Sequence, residues 1–338
     1  MAPTMLTLVV VLALVMAYVN GFHDASNAVT TAITTRSLRE STALYMAALL
    51  NLLGALLGTL LISATAQWAL SLMGLQNLAE GTAGAPNLFA SVLIAVMLTT
   101  IFWELVTWWI GMPSSTWHAF LSATLGASLA IGTVAAWGRL GTILTISLLG
   151  PVLSATVAFL LMQVVKSVMR SDRLRIGHLR FAQMISAGAV ATGHGIADSR
   201  LPLAVIVVGA SAAGMGSTAT HAMMVAVAIA MGAGTLIGGH RIIRTIGRRL
   251  TELTTAQGLA AETSAASTMS LSIFGLDSPV STSHSLASSV VGAGAAMGPR
   301  HVRWSTARTM LSVWVGTPLV CAVICAALLG VMHELSLV

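Results

Sequence analysis

The sequence predicts an all-α polytopic membrane protein built from two inverted repeats, with broken helices, re-entrant hairpins and about ten to twelve membrane segments. Three observations lead there. Of the 338 residues, 56% are hydrophobic and 8% charged, and mean hydropathy is +0.90, whereas a soluble domain carries about 25% charged residues. Basic residues fall in short loops between apolar runs. A polar motif occurs twice, once in each half of the chain.

The run from Met5 to Thr35 is apolar except for the island Asn20-Gly21-Phe22-His23-Asp24-Ala25-Ser26-Asn27. An unbroken helix of that length is about 46 Å long, against a hydrocarbon core of about 30 Å. The segment is therefore expected to tilt strongly or to break, with Gly21 as the natural break. It lacks a basic start and a clear small-residue cleavage site, so it reads as a first span rather than a signal peptide. Apolar runs follow near 43–63, 87–111, 115–136 and 141–166, then near 182–193, 201–215, 218–238, 259–274, 281–297 and 309–331. Residues 1–165 form the expected first repeat, 166–180 a basic linker, and 181–338 the second repeat.

The pI near 10.6 suggests nucleic acid, but the placement of the charges argues against it. Arg36 and Arg39, the 166–180 group, the 241–249 group and Arg300, Arg303 and Arg308 sit in short loops, as cytoplasmic loops do. This puts the N-terminus outside and the central basic loop in the cytoplasm. The second half then enters the membrane from the opposite side to the first. Cys321 and Cys325 lie in an apolar run without the partners of a metal set and read as packing residues. No metal site is assigned.

The repeat rests on two motif pairs. Pro113-Ser114-Ser115-Thr116-Trp117-His118 answers Pro279-Val280-Ser281-Thr282-Ser283-His284 at an offset of 166, a P-x-S-T-x-H pattern continued by Ser122 and Ser288 and by Gly126 and Gly292. Gly21-Phe22-His23-Asp24 answers Gly195-Ile196-Ala197-Asp198 at an offset of 174. A twofold internal repeat with Gly/Pro-interrupted segments points to a transporter whose site lies at the repeat interface.

Asp24 and Asp198 occupy matched places in apolar segments. A charge at mid-membrane costs about 2.5–3.5 kcal/mol even on the gentler insertion scale, so paired acids are candidates for binding a coupling cation or proton. The bland alternative is a pair of structural acids at helix ends near water. Glu262 is a further candidate, ahead of Glu104. Ser115, Thr116, Ser281, Thr282 and Ser283 offer hydroxyl donors where a hairpin break frees helix N–H groups for an anion; otherwise they satisfy neighbouring carbonyls. His118, His284, His23 and His194 are either proton carriers or buried structural donors. No G-x-S-x-G elbow or assembled triad is visible, so the chain is not read as an enzyme.

The segment Asn20 to Ala28 resembles the first signature of the inorganic phosphate transporter (PiT) family, of the bacterial low-affinity phosphate permease type. Gly111 to His118 and Ser278 to His284 resemble its paired hairpin motifs, Gly239 to Gly247 its cytoplasmic loop, and Ala261 to Ala265 the helix after it. The resemblance covers nearly the whole chain in order. It implies symport of inorganic phosphate with a proton or sodium ion, including as a metal–phosphate complex, across the cell inner membrane. Asp24, Asn27, Asp198 and Glu262, with His194, would serve coupling or binding, and Ser115, Thr116, Ser281 and Thr282 would hold the anion. No cofactor is implied beyond the coupling cation. Membrane lipids and a second copy of the chain are candidate partners.

One departure stands out. The family's second signature reads H-G-x-N-D followed by an amide residue, whereas this chain has Ala197 for the Asn and Arg200 in the amide region. Arg200 is expected to replace one bound cation, by pairing with Asp198 or by facing the anion. The departure keeps a sulfate permease on the same scaffold as the alternative function. A channel or a scaffold without a transport cycle is the alternative of another class.

Overall fold

The computed structural model describes residues 1–61, 66–73, 75–82, 85–133, 137–170, 175–276 and 280–335. The described residues are helical almost throughout. The first half holds α1 (Pro3–Thr34), α2 (Glu40–Leu61), the short α3 (Ala66–Met73) and α4 (Gln76–Gly81), then α5 (Pro86–Ile110), α6 (Thr116–Ala130) and α7 (Trp137–Met169). The second half holds α8 (Ile176–Asp198), α9 (Arg200–Ala212), α10 (His221–Ile237), α11 (His240–Arg244) with a π turn (Thr245–Leu250), α12 (Thr255–Leu271) with a π turn (Ser272–Leu276), α13 (Thr282–Ala295) and α14 (Trp304–Glu334).

Six helical stretches are long and apolar enough to cross a membrane, and a seventh arises if α10 and the bent segment after it count as one span. The shorter α6 and α13 are the hairpin arms. With 15 and 14 residues they are about 22 Å long, too short to span a 30 Å core. Along α7 and α14 the outward faces expose Leu148, Val152, Leu160, Leu311, Val315 and Leu319. In a multi-pass membrane protein such surfaces meet lipid rather than water.

Local chemistry sets the helix ends that matter. Pro86 starts α5 at its first turn, where a missing N–H costs nothing. Gly111 ends α5 in the left-handed region at φ 71°, and Met112 N–H returns to Thr107 O at 2.9 Å, closing the helix with a Schellman-type bond. Four residues later Ser115 caps α6, its Oγ accepting from His118 N–H at 3.3 Å. In the other half Ser281 caps α13 identically, accepting from His284 N–H at 3.3 Å. Pro279 itself lies outside the described residues.

α1 runs unbroken through Gly21, so of the two expected outcomes, a strong tilt or a break, the break does not occur. Gly21 instead serves packing, since a Cβ there would overlap the Met231 carbonyl of α10. The helix, 32 residues long, spans about 48 Å and exceeds the membrane core by projecting or tilting. In the other half, Ser199 between α8 and α9 keeps right-handed helical angles, and Ile176–Ala212 forms one apolar stretch. The flanking helices also extend into the stretch read as a linker, with α7 ending at Met169 and α8 beginning at Ile176.

Helices of the first half pack on helices of the second through close glycine contacts. Gly21 meets Met231 O, and Gly195 meets Asn51 O. Gly234 meets Tyr18 O, and Gly54 meets Thr192 O. Gly126 of α6 meets Ala322 O of α14, and Gly292 of α13 meets Ala155 O of α7. In every pair a helix of one half lies against a helix of the other, so the core forms only when both halves are present. Absent side chains let these backbones approach closely, the packing currency of membrane helices.

Candidate functional site

The two hairpin starts and the polar island of α1 converge. Asp24 is buried, and its carboxylate collects donors from three helices. Asn20 Nδ2 donates to Oδ2 at 3.0 Å. Ser283 Oγ donates to Oδ1 at 2.5 Å, and Asn27 Nδ2 donates to the same oxygen at 3.1 Å. His23 Nδ1 lies 3.0 Å from Oδ1, and its Nε2 lies 3.0 Å from Thr107 Oγ1. Thr116 stands at the rim, 3.5 Å from Oδ2; it accepts from Asn20 Nδ2 at 2.8 Å and donates to Glu104 Oε1.

Asp198 occupies the related position. Trp117 Nε1–H donates to its Oδ1 at 3.1 Å, and His194 Nε2 stands 3.0 Å from its Oδ2 and 4.0 Å from Asp24 Oδ2. His194 Nδ1 faces Asn51 Oδ1 at 2.9 Å while Asn51 Nδ2 is spent on Thr235 Oγ1 at 2.7 Å. Nδ1 is therefore the donor, which leaves Nε2 for the acids. Nε2 faces both carboxylates but makes no hydrogen bond of good geometry among the described residues.

Two of these contacts match under the sequence offsets. Asn20 and His194 are equivalent at offset 174, and each stands 3.0 Å from an oxygen of its own aspartate. Ser283 and Trp117 are equivalent at offset 166, and each donates to the aspartate of the other half. The chemistry of the two cages differs, however. Asn27 is answered by Leu201 and Ser283 by Trp117. Around Asp24, the buried oxygens Asn20 Oδ1, Asn27 Oδ1 and Glu104 Oε2 have no hydrogen-bond partner among the described residues. The acid of the second half has an indole and an imidazole where the first has hydroxyl and amide groups.

The remaining sequence candidates are dispersed. Ser115 and Ser281 use their hydroxyls as caps, which leaves the first N–H groups of α6 and α13 without intrahelical acceptors. Thr282 Oγ1 and Ser285 Oγ are buried without partners among the described residues. Behind the hairpins His118 stacks on His284 at 4.8 Å, and His284 on Trp314 at 4.1 Å; His118 Nε2 contacts Ser147 Oγ. Glu262 lies apart, held by Thr31 Oγ1 and by Ser186 Oγ at 3.2 Å. Thr31 is seven residues beyond Asp24 on α1, about 10 Å along the axis. Arg200 opens α9 and is buried.

Asn20 and Trp117 border the two aspartates although the sequence did not single them out as site residues, and Glu104, ranked behind Glu262 as a candidate, lies there too. Two of them carried a signal. Asn20 matches His194, and Trp117 matches Ser283, under the offsets already established. Glu104 has no repeat mate, so only folding reveals which way it points.

Fold and site together define a polytopic membrane protein with a buried ionisable centre between helices of its first and second halves. The chain belongs to the phosphate transporter family, whose model matches residues 20–179 and again 172–325. That family and the relatives below are transporters rather than enzymes. A "Probable low-affinity inorganic phosphate transporter" of Bacillus subtilis strain 168 is 33% identical over 233 residues, covering 67% of this chain and 70% of the relative. A protein of the same description from Mycobacterium tuberculosis strain H37Rv is 34% identical over 307 residues, covering 86% of this chain and 69% of the relative. Among solved structures, "The sodium-dependent phosphate transporter" superposes with a TM-score of 0.80 over 98% of this chain and 99% of that one. At 18% identity this likeness carries the fold.

Proposed function

We propose that the chain carries inorganic phosphate across the membrane in symport with a cation, sodium or proton, and that both ligands meet in the cage around Asp24. The observation that supports this most is the pair of membrane-buried aspartates, each hydrogen-bonded by the hairpin residue of the opposite half. The anion is held by free N–H groups at the starts of α6 and α13, with Thr116, Thr282 and Ser283 adding hydroxyls. Helix N-termini favour anions, and a charge in a dry site needs such donors.

The carboxylates oppose the anion. Each unit-charge pair at 4 Å costs about 4 kcal/mol at an effective dielectric of 20. A cation on Asp24, with Asn20 Oδ1, Asn27 Oδ1 and Glu104 Oε2 as further oxygen ligands, removes that cost. Each ligand therefore raises the affinity for the other, which is coupling in the thermodynamic sense. In the second half the His194–Asp198 pair holds a proton where the first half takes a free cation, and buried Arg200 adds a fixed positive charge. Glu262 with Thr31 and Ser186 forms a second polar station on the cation's way past α1. The halves are inverted repeats, with the N-terminus outside and the basic loops cytoplasmic; rocking of one half against the other switches access.

The test is uptake of radiolabelled phosphate into proteoliposomes, with sodium and proton gradients imposed separately and excess sulfate as competitor. Uptake driven by one gradient and blocked by unlabelled phosphate but not by sulfate is the expected result. Uptake that sulfate abolishes would instead make this a sulfate permease, and flux that neither saturates nor follows a gradient would make it a channel.

A further inference from the structure

α10 and the segment after it meet at 51°, at Gly238 and Gly239, and the bend lays residues 240–250 across one end of the bundle. Ile242, Ile243, Ile246 and Leu250 are buried against it, and Gly247 lies so close to Thr34 of α1 that a Cβ would overlap. Arg241, Arg244, Arg248 and Arg249 are all exposed. The π turn decides which of them share a space. Five residues along an α-helix are rotated by about 140°, which would put Arg244 and Arg249 on different sides. The wider π winding, with its i to i+5 bonds, brings them to the same side. Both then line a cavity of about 360 Å³ together with Trp109, Gly111, His240 and Arg241.

Arg241 forms a fixed wall, with Nη1 donating to Trp109 O at 2.8 Å and its guanidinium 4.5 Å from the Trp109 ring centroid. Arg244 also borders an adjoining cavity lined by Arg248 and Glu40, but Glu40 is engaged by His240 at 2.8 Å. Among the described residues no carboxylate lies within ion-pair distance of Arg241, Arg244, Arg248 or Arg249. Charge alone suffices to orient a loop; that task needs neither a concave site nor a π turn that gathers two guanidinium groups. The cavity falls in the range of ligand pockets, about 300–1,000 Å³, and is larger than one orthophosphate requires. Planar forks of N–H donors match phosphoryl oxygens.

We propose that this cavity is a second anion site, separate from the buried cage, which binds a phosphoryl group between Arg244 and Arg249 against the wall of Arg241. The group comes either from a free phosphate or diphosphate or from the headgroup of an anionic phospholipid. The site stands whether or not the chain transports phosphate.

The full-length protein in phosphatidylcholine nanodiscs is titrated with radiolabelled pyrophosphate, in the native form and in a Ser283→Ala background that disables the cage. Native mass spectrometry from phosphatidylglycerol-containing nanodiscs reads retained lipid in parallel. Losing one charged hydrogen-bond donor weakens binding by about tenfold or more. Arg249→Gln should show that loss, while Arg248→Gln, with the same charge change outside the cavity, should lose less than about threefold. Ser283→Ala should retain binding. Pyrophosphate binding with this pattern identifies a free ligand; one retained phosphatidylglycerol that Arg249→Gln releases identifies a lipid. Absence of both, or equal losses in the two Arg variants, overturns the proposal. Arg248 and Arg249 are exposed and form no ion pair among the described residues, so unchanged melting temperatures separate lost binding from lost fold.

Discussion

Asp198→Asn separates folding from transport. The substitution keeps every described partner of the side chain. Oδ1 still accepts from Trp117 Nε1, 3.1 Å away, and the new amide N–H points at His194 Nε2, 3.0 Å away, which then accepts as a neutral imidazole. With the proton proposed above shared between His194 and Asp198, the site loses one negative charge and that proton together, so its net charge is unchanged. The folding cost is the difference between charged and neutral hydrogen bonds, about 1 kcal/mol, which lowers the melting temperature by about 2 °C in a chain of this size. Transport loses a charge-assisted contact worth about 1.5–3 kcal/mol, so phosphate uptake should fall about ten- to 150-fold. Asp24→Asn provides the contrast. There an amide N–H must face a donor, either Asn20 Nδ2 on one oxygen or Ser283 Oγ and Asn27 Nδ2 on the other. The loss of one or two charged bonds, with the amide N–H left facing a donor, costs about 1.5–6 kcal/mol, more than in Asp198→Asn. The assay pairs melting in detergent with proteoliposome uptake. If Asp198→Asn melts as low as Asp24→Asn, or transports normally, the shared proton and its role are wrong.

Gly126→Ala and Gly292→Ala should each destabilise by more than about 2 kcal/mol, because the added methyl meets a backbone carbonyl; Gly330→Ala, with nothing within 4 Å in α14, should stabilise by about 0.5–1 kcal/mol, and detergent melting compares all three. Ser115→Ala and Ser281→Ala should cost about 1 kcal/mol each and nearly the same amount, since both remove one cap of identical geometry. Glu104→Gln should weaken cation binding about tenfold or more, as it removes a charged ligand from the cage. Glu262→Gln should leave equilibrium cation affinity within about threefold and slow turnover instead, its two hydroxyl partners being able to satisfy an amide; calorimetry and uptake rates distinguish the two.

The membrane class was legible in the sequence because composition carries it, and the burial of both aspartates because spacing places them in apolar runs. Asp24 and Asp198 stand out as charges in apolar runs, and Ser115 and Ser281 mark the hairpin starts that the structure caps. Other features were hidden for physical reasons. A helix apolar on every side gives no amphipathic stripe, so composition could not tell that Gly21 is a contact point rather than a break. Glu104 lies nine residues before Pro113, a separation that fixes no facing across the turn at Gly111. The pairing of Trp117 with Asp198 crosses between halves and becomes visible only when the offsets are applied to contacts rather than to letters. The Arg244–Arg249 pair depends on π winding, which no apolar period announces.

The claim that phosphate and cation meet at Asp24 is tested most directly by reciprocal binding. Phosphate affinity is measured on the purified protein across sodium and proton concentrations, and cation affinity across phosphate concentrations, for the native chain and for Glu104→Gln. One cation should tighten phosphate binding by a factor that equals the effect of phosphate on that cation, and the factor should shrink in Glu104→Gln. Phosphate affinity that ignores both cations, or a coupling factor that Glu104→Gln leaves unchanged, would contradict a shared cage.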